Sequence, residues 1–356
     1  MIAYYVHHHG SGHAHRAAAV AGALTAPVVG LSSRPAPAGW PGEWVVLPDD
    51  AGTHPADDVT AGGVLHWVPL HHNGLRDRMA AISAVLARGD VRLLVADVSV
   101  EVCLLARLHG VPVAVMAQPG DRTDRPHRLA YDLAARLLAP WPELPAAPRP
   151  DACSADSGGW PAHWRGRTVH LGAFSRFDGR TPRPPDPRRV LVLWGGGGLD
   201  VSDAQVRQAA AATPERIWEV AGTVPGTAAS QVPGGDPPNL RRLGWVEDVW
   251  PVLERAAVVV THAGQNALAE IAAARRPAVV VPQERPHDEQ RATARVLDRA
   301  GLAVVAPRWP VGPAWPELLA RAERIGGAGW AAWSRGDGAA RAAAELDALV
   351  GAAAPV

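Results

Sequence analysis

The stretch Thr261-His262-Ala263-Gly264-Gln265-Asn266-Ala267-Leu268-Ala269-Glu270 decides how the rest of this chain is interpreted. Residues 257–260, which precede the helix-forming part, are a short apolar run typical of a buried parallel strand. Residues 268–274 form helices readily. Together these patterns predict a strand that turns into a helix. The first amides of that helix lack internal partners and lie at the positive end of its dipole, where phosphate binds favourably. His262 should lie at the mouth of this site.

Two motifs in this part of the chain resemble a known family. His262, Gly264 and Asn266, with Glu270 four residues after the Asn, are similar to the nucleotide-sugar motif of GT-B glycosyltransferases. Residues 282–290 end in an acidic residue followed by Gln, which resembles the second donor element of that family. The chain most resembles the family 28 enzymes, typified by the peptidoglycan N-acetylglucosaminyltransferase. The resemblance covers most of the chain and is strongest in residues 244–301.

The resemblance implies an α/β fold of the GT-B type, in which two Rossmann-like doubly wound domains face a central cleft. The alternation of strand and helix patterns in both halves agrees with this. We predict an acceptor-binding domain over residues 1–177 and a stiff, proline-rich linker over 178–188. We predict a nucleotide-sugar-binding domain over 189–335. Residues 336–356 should form a C-terminal helix that packs back on the N-terminal domain.

Composition excludes several kinds of chemistry. All 35 basic residues are Arg, so a Walker A lysine, a pyridoxal phosphate Schiff base and a lysine nucleophile are impossible. The formal net charge of zero argues against a nucleic-acid partner. Neither Cys103 nor Cys153 has zinc-ligand spacing, and we expect a reduced cytoplasm, in a bacterium with a GC-rich genome. We see no signal peptide and no transmembrane segment.

The start of the chain repeats the strand, turn and helix layout. Residues 1–6 should be a strand, and a helix should begin at about Ala17. Family 28 enzymes have a Gly-rich turn ending in His here, so the resemblance implies that His13 is the catalytic base. Free imidazole titrates near pH ~6.5, which suits that task. His13 could instead only pack under the loop. The resemblance places the acceptor beside Gly10, Ser11, Gly12 and, from a later loop, Gln118.

A metal site built from the histidines around His13 is a further interpretation. His7, His8, His9 and His15 flank the turn. Adjacent side chains on a strand point to opposite faces, so these imidazoles cannot all converge. We therefore predict no metal, and the role of residues 7–9 stays open. Asp97 and Glu101 lie at the same sheet edge and could cap a helix.

The second half supplies the residues that should bind the donor. Backbone amides of a glycine run and of the quoted stretch should bind the diphosphate: Gly195, Gly196, Gly197, Gly198, His262, Gly264, Gln265 and Asn266. The resemblance implies that Glu270 binds the ribose hydroxyls. It also implies that Glu289 and Gln290 contact the transferred sugar, and that Trp245 and Val246 contact the base. Each also has a structural alternative: a tight turn, a helix cap, an exposed acid or a packed Trp.

These residues lead to a hypothesis about function. The resemblance implies an inverting, metal-independent transfer of a sugar, such as GlcNAc or another hexose, from a UDP-sugar co-substrate to an unidentified hydroxyl acceptor. No cofactor is expected. The acceptor could be a small molecule or lipid-linked, with peripheral membrane contact. A nucleotide-sugar 2-epimerase of the same fold and a non-catalytic nucleotide-sugar-binding protein are the alternatives.

Overall fold

Two sheets, each formed from buried parallel strands, organise the chain into two compact units. The computed structural model describes residues 1–8, 12–51, 58–143, 160–194, 200–222 and 235–352. The first unit contains Met1–Pro142, Gly159–Gly172 and Asp337–Val356. Among the described residues, the second contains Glu143 and those of Ala173–Gly336.

The first unit has a seven-stranded parallel sheet in the order β3-β2-β1-β4-β5-β6-β7. Its order reverses at β1, so the carboxyl ends of β1 and β4 lie side by side, where doubly wound sheets bind ligands. Val6 at the end of β1 pairs with Asp97 at the end of β4. The strands are β1 (Ile2–Val6), β2 (Val28–Ser32), β3 (Glu43–Val46), β4 (Leu93–Asp97), β5 (Val113–Met116), β6 (Arg136–Ala139) and β7 (Thr168–His170).

In the described part of the first unit, six helices accompany this sheet. They are α1 (Gly12–Ala21), α2 (Asn73–Leu86), α3 (Val100–Leu108), α4 (Arg125–Leu133), α5 (Ala162–Arg165) and α12 (Gly338–Ala352). The last of them, α12, contacts α1 and β4 and buries Leu346. The Asp347 carboxylate accepts hydrogen bonds from the Thr25 amide at 2.9 Å, the Thr25 hydroxyl at 2.7 Å and the Ala26 amide at 3.0 Å. The most C-terminal described residues therefore belong to the first unit.

The second unit has a six-stranded parallel sheet in the order β10-β9-β8-β11-β12-β13. Its core combines small aliphatic strand residues with Trp194, Trp218, Trp309 and Trp315. The strands are β8 (Asp186–Leu193), β9 (Ile217–Ala221), β10 (Leu240–Gly244), β11 (Ala256–Thr261), β12 (Ala278–Val280) and β13 (Val304–Val305). The helices are α6 (Asp203–Ala211), α7 (Trp250–Leu253), α8 (Gln265–Ala274), α9 (Glu289–Arg299), α10 (Trp315–Ile325) and α11 (Trp330–Trp333).

Two predicted boundaries differ from the structure. The first helix begins at Gly12 rather than near Ala17, because His13 and Arg16 on its first turns bond to Asp97. The proline-rich segment 178–188 ends in strand, since β8 begins at Asp186, whose amide donates to the Arg255 carbonyl at 3.0 Å. The predicted domain limits themselves stay predictions.

Candidate functional site

The helix α8 begins where the quoted stretch predicts. It runs from Gln265 to Ala274 after the fully buried strand β11, and no side chain caps its first turn. The Asn266 side chain is exposed, and Gln265 is half-buried on the same turn. The backbone amides of this first turn lie at the end of a helix that favours an anion.

His262 is a largely buried residue directly before the turn into α8. It is 9% exposed, and its Nδ1 accepts a hydrogen bond from the Gly264 amide at 2.9 Å. Burial, with the positive charge of Arg285 added, lowers the pKa of His262 to about 4. The imidazole is therefore neutral at pH 7.

Position 264 requires glycine because of this close approach. A Cβ atom at Gly264 would lie 2.3 Å from Cε1 and 2.7 Å from Nδ1 of His262. Any side chain would push the imidazole away. The motif therefore needs glycine to leave room for the imidazole. It does not need glycine for an unusual backbone angle, since φ at this position is −73°.

Gln290 joins three parts of this region. Its Oε1 accepts from the Ala263 amide at 3.1 Å and from the Gln283 amide at 2.9 Å, and its Nε2 lies 3.2 Å from His262 Nδ1. The side chain is buried. The side-chain amide of Gln290 is therefore bonded to other groups of the protein. The neighbouring Glu289 is half-buried.

Glu270 lies on α8, within the second unit, and pairs with Arg176. The Arg176 Nε donates to the Glu270 carboxylate at 3.2 Å, and its guanidinium lies 4.7 Å from the Phe177 ring centroid. Burial raises the pKa of the Glu270 carboxyl to about 7, although Arg176 acts in the opposite direction. The carboxyl therefore changes its charge near neutral pH.

The remaining residues predicted to bind the donor are Trp245, Val246 and the glycine run at 195–198. Trp245 follows β10 and is 60% exposed, so its ring is not a core residue; Val246 is half-buried. The strand β10, which Trp245 follows directly, is an edge strand of the second sheet. Gly195, Gly196, Gly197 and Gly198 lie outside the described residues.

His13 pairs with a buried carboxylate in the first unit. Its Nδ1 lies 3.0 Å from Asp97 Oδ1, and Arg16 Nε donates to Asp97 Oδ2 at 3.2 Å. Arg16 Nη2 is also 3.1 Å from His13 Nδ1. Burial raises the pKa of Asp97, but Arg16 and His13 more than offset this and lower it to about 2. Asp97 is therefore ionised at neutral pH.

The backbone directly after Asp97 is strained. Val98 has φ 64°, a left-handed conformation that β-branched residues rarely adopt. The next residue, Ser99, caps α3 by accepting from the Val102 amide at 3.2 Å. Such strain clusters at functional sites. It separates the carboxylate of Asp97 from the helix cap, so Ser99 and not Asp97 is the capping residue.

The other acceptor-side predictions fall at this edge of the first sheet. Gly12 is the first residue of α1, and the Gln118 amide donates to the Tyr131 hydroxyl at 3.3 Å. Gly10 and Ser11 lie outside the described residues. The Glu101 carboxylate accepts from the His66 amide at 2.8 Å and so anchors a loop.

Two groups of side chains in the first unit have the composition of metal ligands. His66, Asp124 and His127 each place a ligand atom within 4.8 Å of the others, as do His8, Asp49 and Asp50. In the first group, burial and the charge of Arg122 lower the pKa of His127 to about 3. Arg78 lies 3.6 Å from Asp50 in the second. A neighbouring guanidinium opposes cation binding in both.

Sequence reasoning missed the two arginines that hold the candidate acids. Arg16 is 81 residues from Asp97, and Arg176 is 94 residues from Glu270. Asp97 was considered only as a lining residue or helix cap. Arg16 does fall one turn after His13 on an alanine-rich helix, which was a usable local signal.

The sequence of the chain is similar to that of known glycosyltransferases. Residues 200–309 match the glycosyltransferase family 28 C-terminal domain. The chain is 29% identical over 294 residues to the UDP-N-acetylglucosamine--N-acetylmuramyl-(pentapeptide) pyrophosphoryl-undecaprenol N-acetylglucosamine transferase of Bordetella petrii, covering 72% of this chain and 78% of that protein. Across the curated relatives compared, the alignment spans between 35% and 79% of their length.

Solved structures give the fold. A glycosyltransferase of kitacinnamycin aligns with a TM-score of 0.67 and 18% identity, covering 98% of both chains. MurG of Acinetobacter baumannii aligns with a TM-score of 0.59 and 16% identity, covering 99% of both. The two parallel sheets therefore form a GT-B fold, and the predicted fold class is confirmed.

The chain is a glycosyltransferase that transfers a sugar from a nucleotide-sugar. Residues 200–309, which match the family 28 C-terminal domain, lie in its second unit, and its MurG-like relatives are distant. Within the described part of the chain, no helix has both the length and the apolar character needed to cross a bilayer.

Proposed function

We propose that the chain is an inverting, metal-independent enzyme that moves GlcNAc or another hexose from a UDP-sugar to a hydroxyl acceptor. The observation that carries this proposal is the pair formed by His13 Nδ1 and the ionised Asp97 carboxylate, 3.0 Å apart. The name of the Bordetella petrii relative supports UDP and GlcNAc as the donor components.

In this proposal His13 is the base. Nδ1–H donates a hydrogen bond to the Asp97 carboxylate, which leaves the Nε2 lone pair free to accept the proton of the acceptor hydroxyl. As the acceptor oxygen attacks the anomeric carbon, Nε2 takes the hydroxyl proton. The bond between the anomeric carbon and the donor phosphate oxygen breaks in the same step, and UDP leaves with the electron pair. A single displacement inverts the anomeric centre.

Backbone and side-chain dipoles take the place of a metal in this proposal. The uncapped first turn of α8 and the neutral imidazole of His262 donate to the diphosphate, with Gln265 and Asn266 beside them. Gly195, Gly196, Gly197 and Gly198 would add backbone amides. Preorganised donors of this kind stabilise developing negative charge without reorganising during the reaction.

The other donor contacts follow the side chains that remain accessible. Glu270 accepts the ribose hydroxyls, and Arg176 holds its carboxylate. Trp245, being exposed, offers a face for the base, with the main chain of Val246 next to it. Glu289 contacts the hydroxyls of the transferred sugar. The resemblance gives the same contact to Gln290, whose amide is bonded to Ala263, Gln283 and His262.

The proposal predicts that His13→Ala binds UDP but transfers no sugar. We expect turnover to fall by about 10²-fold or more, since general base catalysis contributes 10² to 10⁴. The dissociation constant for UDP should stay within about threefold, because His13 lies in the first unit. Transfer is measured by UDP release in the presence of candidate acceptors, and UDP binding by calorimetry. Full turnover in the variant would refute the base assignment.

The donor is identified by thermal shift with a panel of UDP-, TDP- and GDP-sugars. A ligand at 100 times its dissociation constant stabilises the protein that binds it by about 2.7 kcal/mol. We expect UDP-sugars to give the largest increase in melting temperature. A larger shift with TDP- or GDP-sugars would move the donor assignment to that nucleotide.

A further inference from the structure

The Gln290 side chain has an orientation that its surroundings fix. One terminal atom of its amide lies within hydrogen-bond distance of two backbone amides, those of Ala263 at 3.1 Å and Gln283 at 2.9 Å. A backbone N–H can only donate, so this atom must be the oxygen. The nitrogen, Nε2, is then the atom that lies 3.2 Å from His262 Nδ1.

This orientation determines which nitrogen of His262 carries the proton. Nδ1 faces two donors, the Gly264 amide at 2.9 Å and Gln290 Nε2. Nδ1 must therefore be the acceptor. A neutral imidazole whose Nδ1 accepts has its hydrogen on Nε2. The backbone supplies one of these two donors, and Gln290 supplies the other.

We propose that Gln290 is a positioning residue that holds His262 in the Nε2–H tautomer, so that the imidazole donates to the departing diphosphate; this rests on the proposed function. The diphosphate gains negative charge as its bond to the sugar breaks. A donor already aimed at that charge stabilises the transition state, whereas the opposite tautomer would present a lone pair to it.

The bonding of Gln290 leaves little capacity for the transferred sugar. Its oxygen accepts two backbone bonds, and one of its two N–H groups donates to His262. The side chain is 4% exposed. Recognition of the sugar hydroxyls therefore falls to neighbouring groups such as Glu289, and Gln290 acts through His262.

Gln290→Glu tests this with almost no change in shape. One carboxylate oxygen keeps the bonds from Ala263 and Gln283, while the other replaces the donor to Nδ1 by an acceptor. We expect the new carboxylate to draw the proton of His262 to Nδ1 at the expense of the bond from the Gly264 amide, and kcat to fall by about 10²-fold, the effect of losing one oxyanion donor. The KM for the UDP-sugar should change less than about threefold, because the lost interaction strengthens only in the transition state.

A matched control and a coupling measurement accompany the variant. Gln208→Glu makes the same change on α6, outside the site, and should leave kcat unchanged. In a His262→Ala background, Gln290→Glu should alter kcat by less than about twofold, because the two residues act as one unit. An undiminished 10²-fold effect in that background would overturn the proposal.

The tautomer itself is measured by long-range ¹H–¹⁵N spectra of histidine side chains, with His262→Ala used for assignment. A wild-type spectrum with the His262 proton on Nδ1 overturns the proposal, even if Gln290→Glu fails to fold. A raised KM with unchanged kcat overturns it too, since that indicates direct sugar contact. If no donor supports transfer, the proposed function fails, while the spectrum still tests the tautomer.

Discussion

At the scale of single residues, Asp97 shows how a buried charge is kept. The carboxylate has no solvent exposure, yet Arg16 and His13 hold its pKa at about 2. Because this pKa lies below the usual value near 3.9, the carboxylate contributes stability above pH ~4 that is lost as the pH falls towards 2. The charge that orients His13 is therefore present throughout the neutral range.

At Glu270 the effect of burial on the pKa outweighs that of the neighbouring arginine, which is the reverse of Asp97. The charge of this carboxyl therefore changes with pH in the neutral range. Because burial raises its pKa to about 7, the carboxylate form becomes dominant only as the pH rises through 7. We expect uridine binding to tighten several-fold from pH 6 to pH 8, since only the carboxylate accepts both ribose hydroxyls. Calorimetry with uridine avoids titration of the phosphates.

Glu270→Gln is the matched control for this measurement. It keeps the shape and one acceptor oxygen but does not titrate, so its uridine affinity should be independent of pH over the same range. An equal pH dependence in wild type and variant would show that another group controls binding. The folded protein has the higher affinity for the proton at position 270, so this residue favours folding at pH below ~4 and loses that contribution as the pH rises to 7.

At the scale of elements, the turn before α8 depends on the absence of one methyl group. Gly264→Ala would place Cβ 2.3 Å from His262 Cε1, so the imidazole or the turn must move. We expect a loss of about 1–3 kcal/mol in unfolding free energy, typical of overpacking. UDP affinity should fall by about tenfold if one charge-assisted hydrogen bond is lost.

Chemical denaturation and calorimetry measure these two changes. Gly351→Ala is the control, because a Cβ atom there meets nothing within 4 Å. It should leave UDP affinity within error of the wild type and should not lower the unfolding free energy, because Ala is the better helix former. If Gly264→Ala behaved like this control, the close approach to His262 would not explain the glycine.

The elements themselves were largely predictable, because their signals are local. The run of apolar residues ending in an acid predicts the strand Leu93–Asp97, and the structure confirms it residue for residue. The strand followed by a helix at β11 and α8 was also predicted correctly. The helices α10 and α11, in which Trp315, Trp330 and Trp333 are buried, were not predicted.

Partners distant in sequence were not predictable in the same way. The Arg176–Glu270 pair and the bonds of Gln290 to two loops depend on how strands are ordered in a sheet. A single sequence indicates which residues follow the carboxyl end of each strand. It does not indicate which of these residues contact one another in the folded protein. The burial that shifts the pKa values of His262 and Glu270 results from such long-range contacts, so it could not be predicted either.

At the scale of the whole molecule, the chain returns to its first unit after building the second. The helix α12 belongs to the first unit and is attached there by Asp347 and by Arg341, which donates to the Leu171 carbonyl at 3.1 Å. The stability of the first unit therefore depends on residues that are more than 300 positions from Thr25.

Asp347→Ala should weaken the first unit selectively. Three hydrogen bonds from Thr25 and Ala26 lose their acceptor, and partly exposed bonds of this kind are worth about 0.5–1.5 kcal/mol each. Hydrogen exchange should rise in peptides of α1, β1 and α12 and stay unchanged in β8 and β11. Exchange that rose equally in both units would show that they unfold together.

The attachment of α12 also sets the order in which the protein can mature during translation. The ribosome must synthesise the whole second unit before α12 emerges, so a nascent chain has the first sheet without its covering helix for that interval. The apolar surface that Leu346 later covers is exposed to chaperones and to other nascent chains during this time. The second unit, whose main segment Ala173–Gly336 is continuous in sequence, can complete its own sheet first.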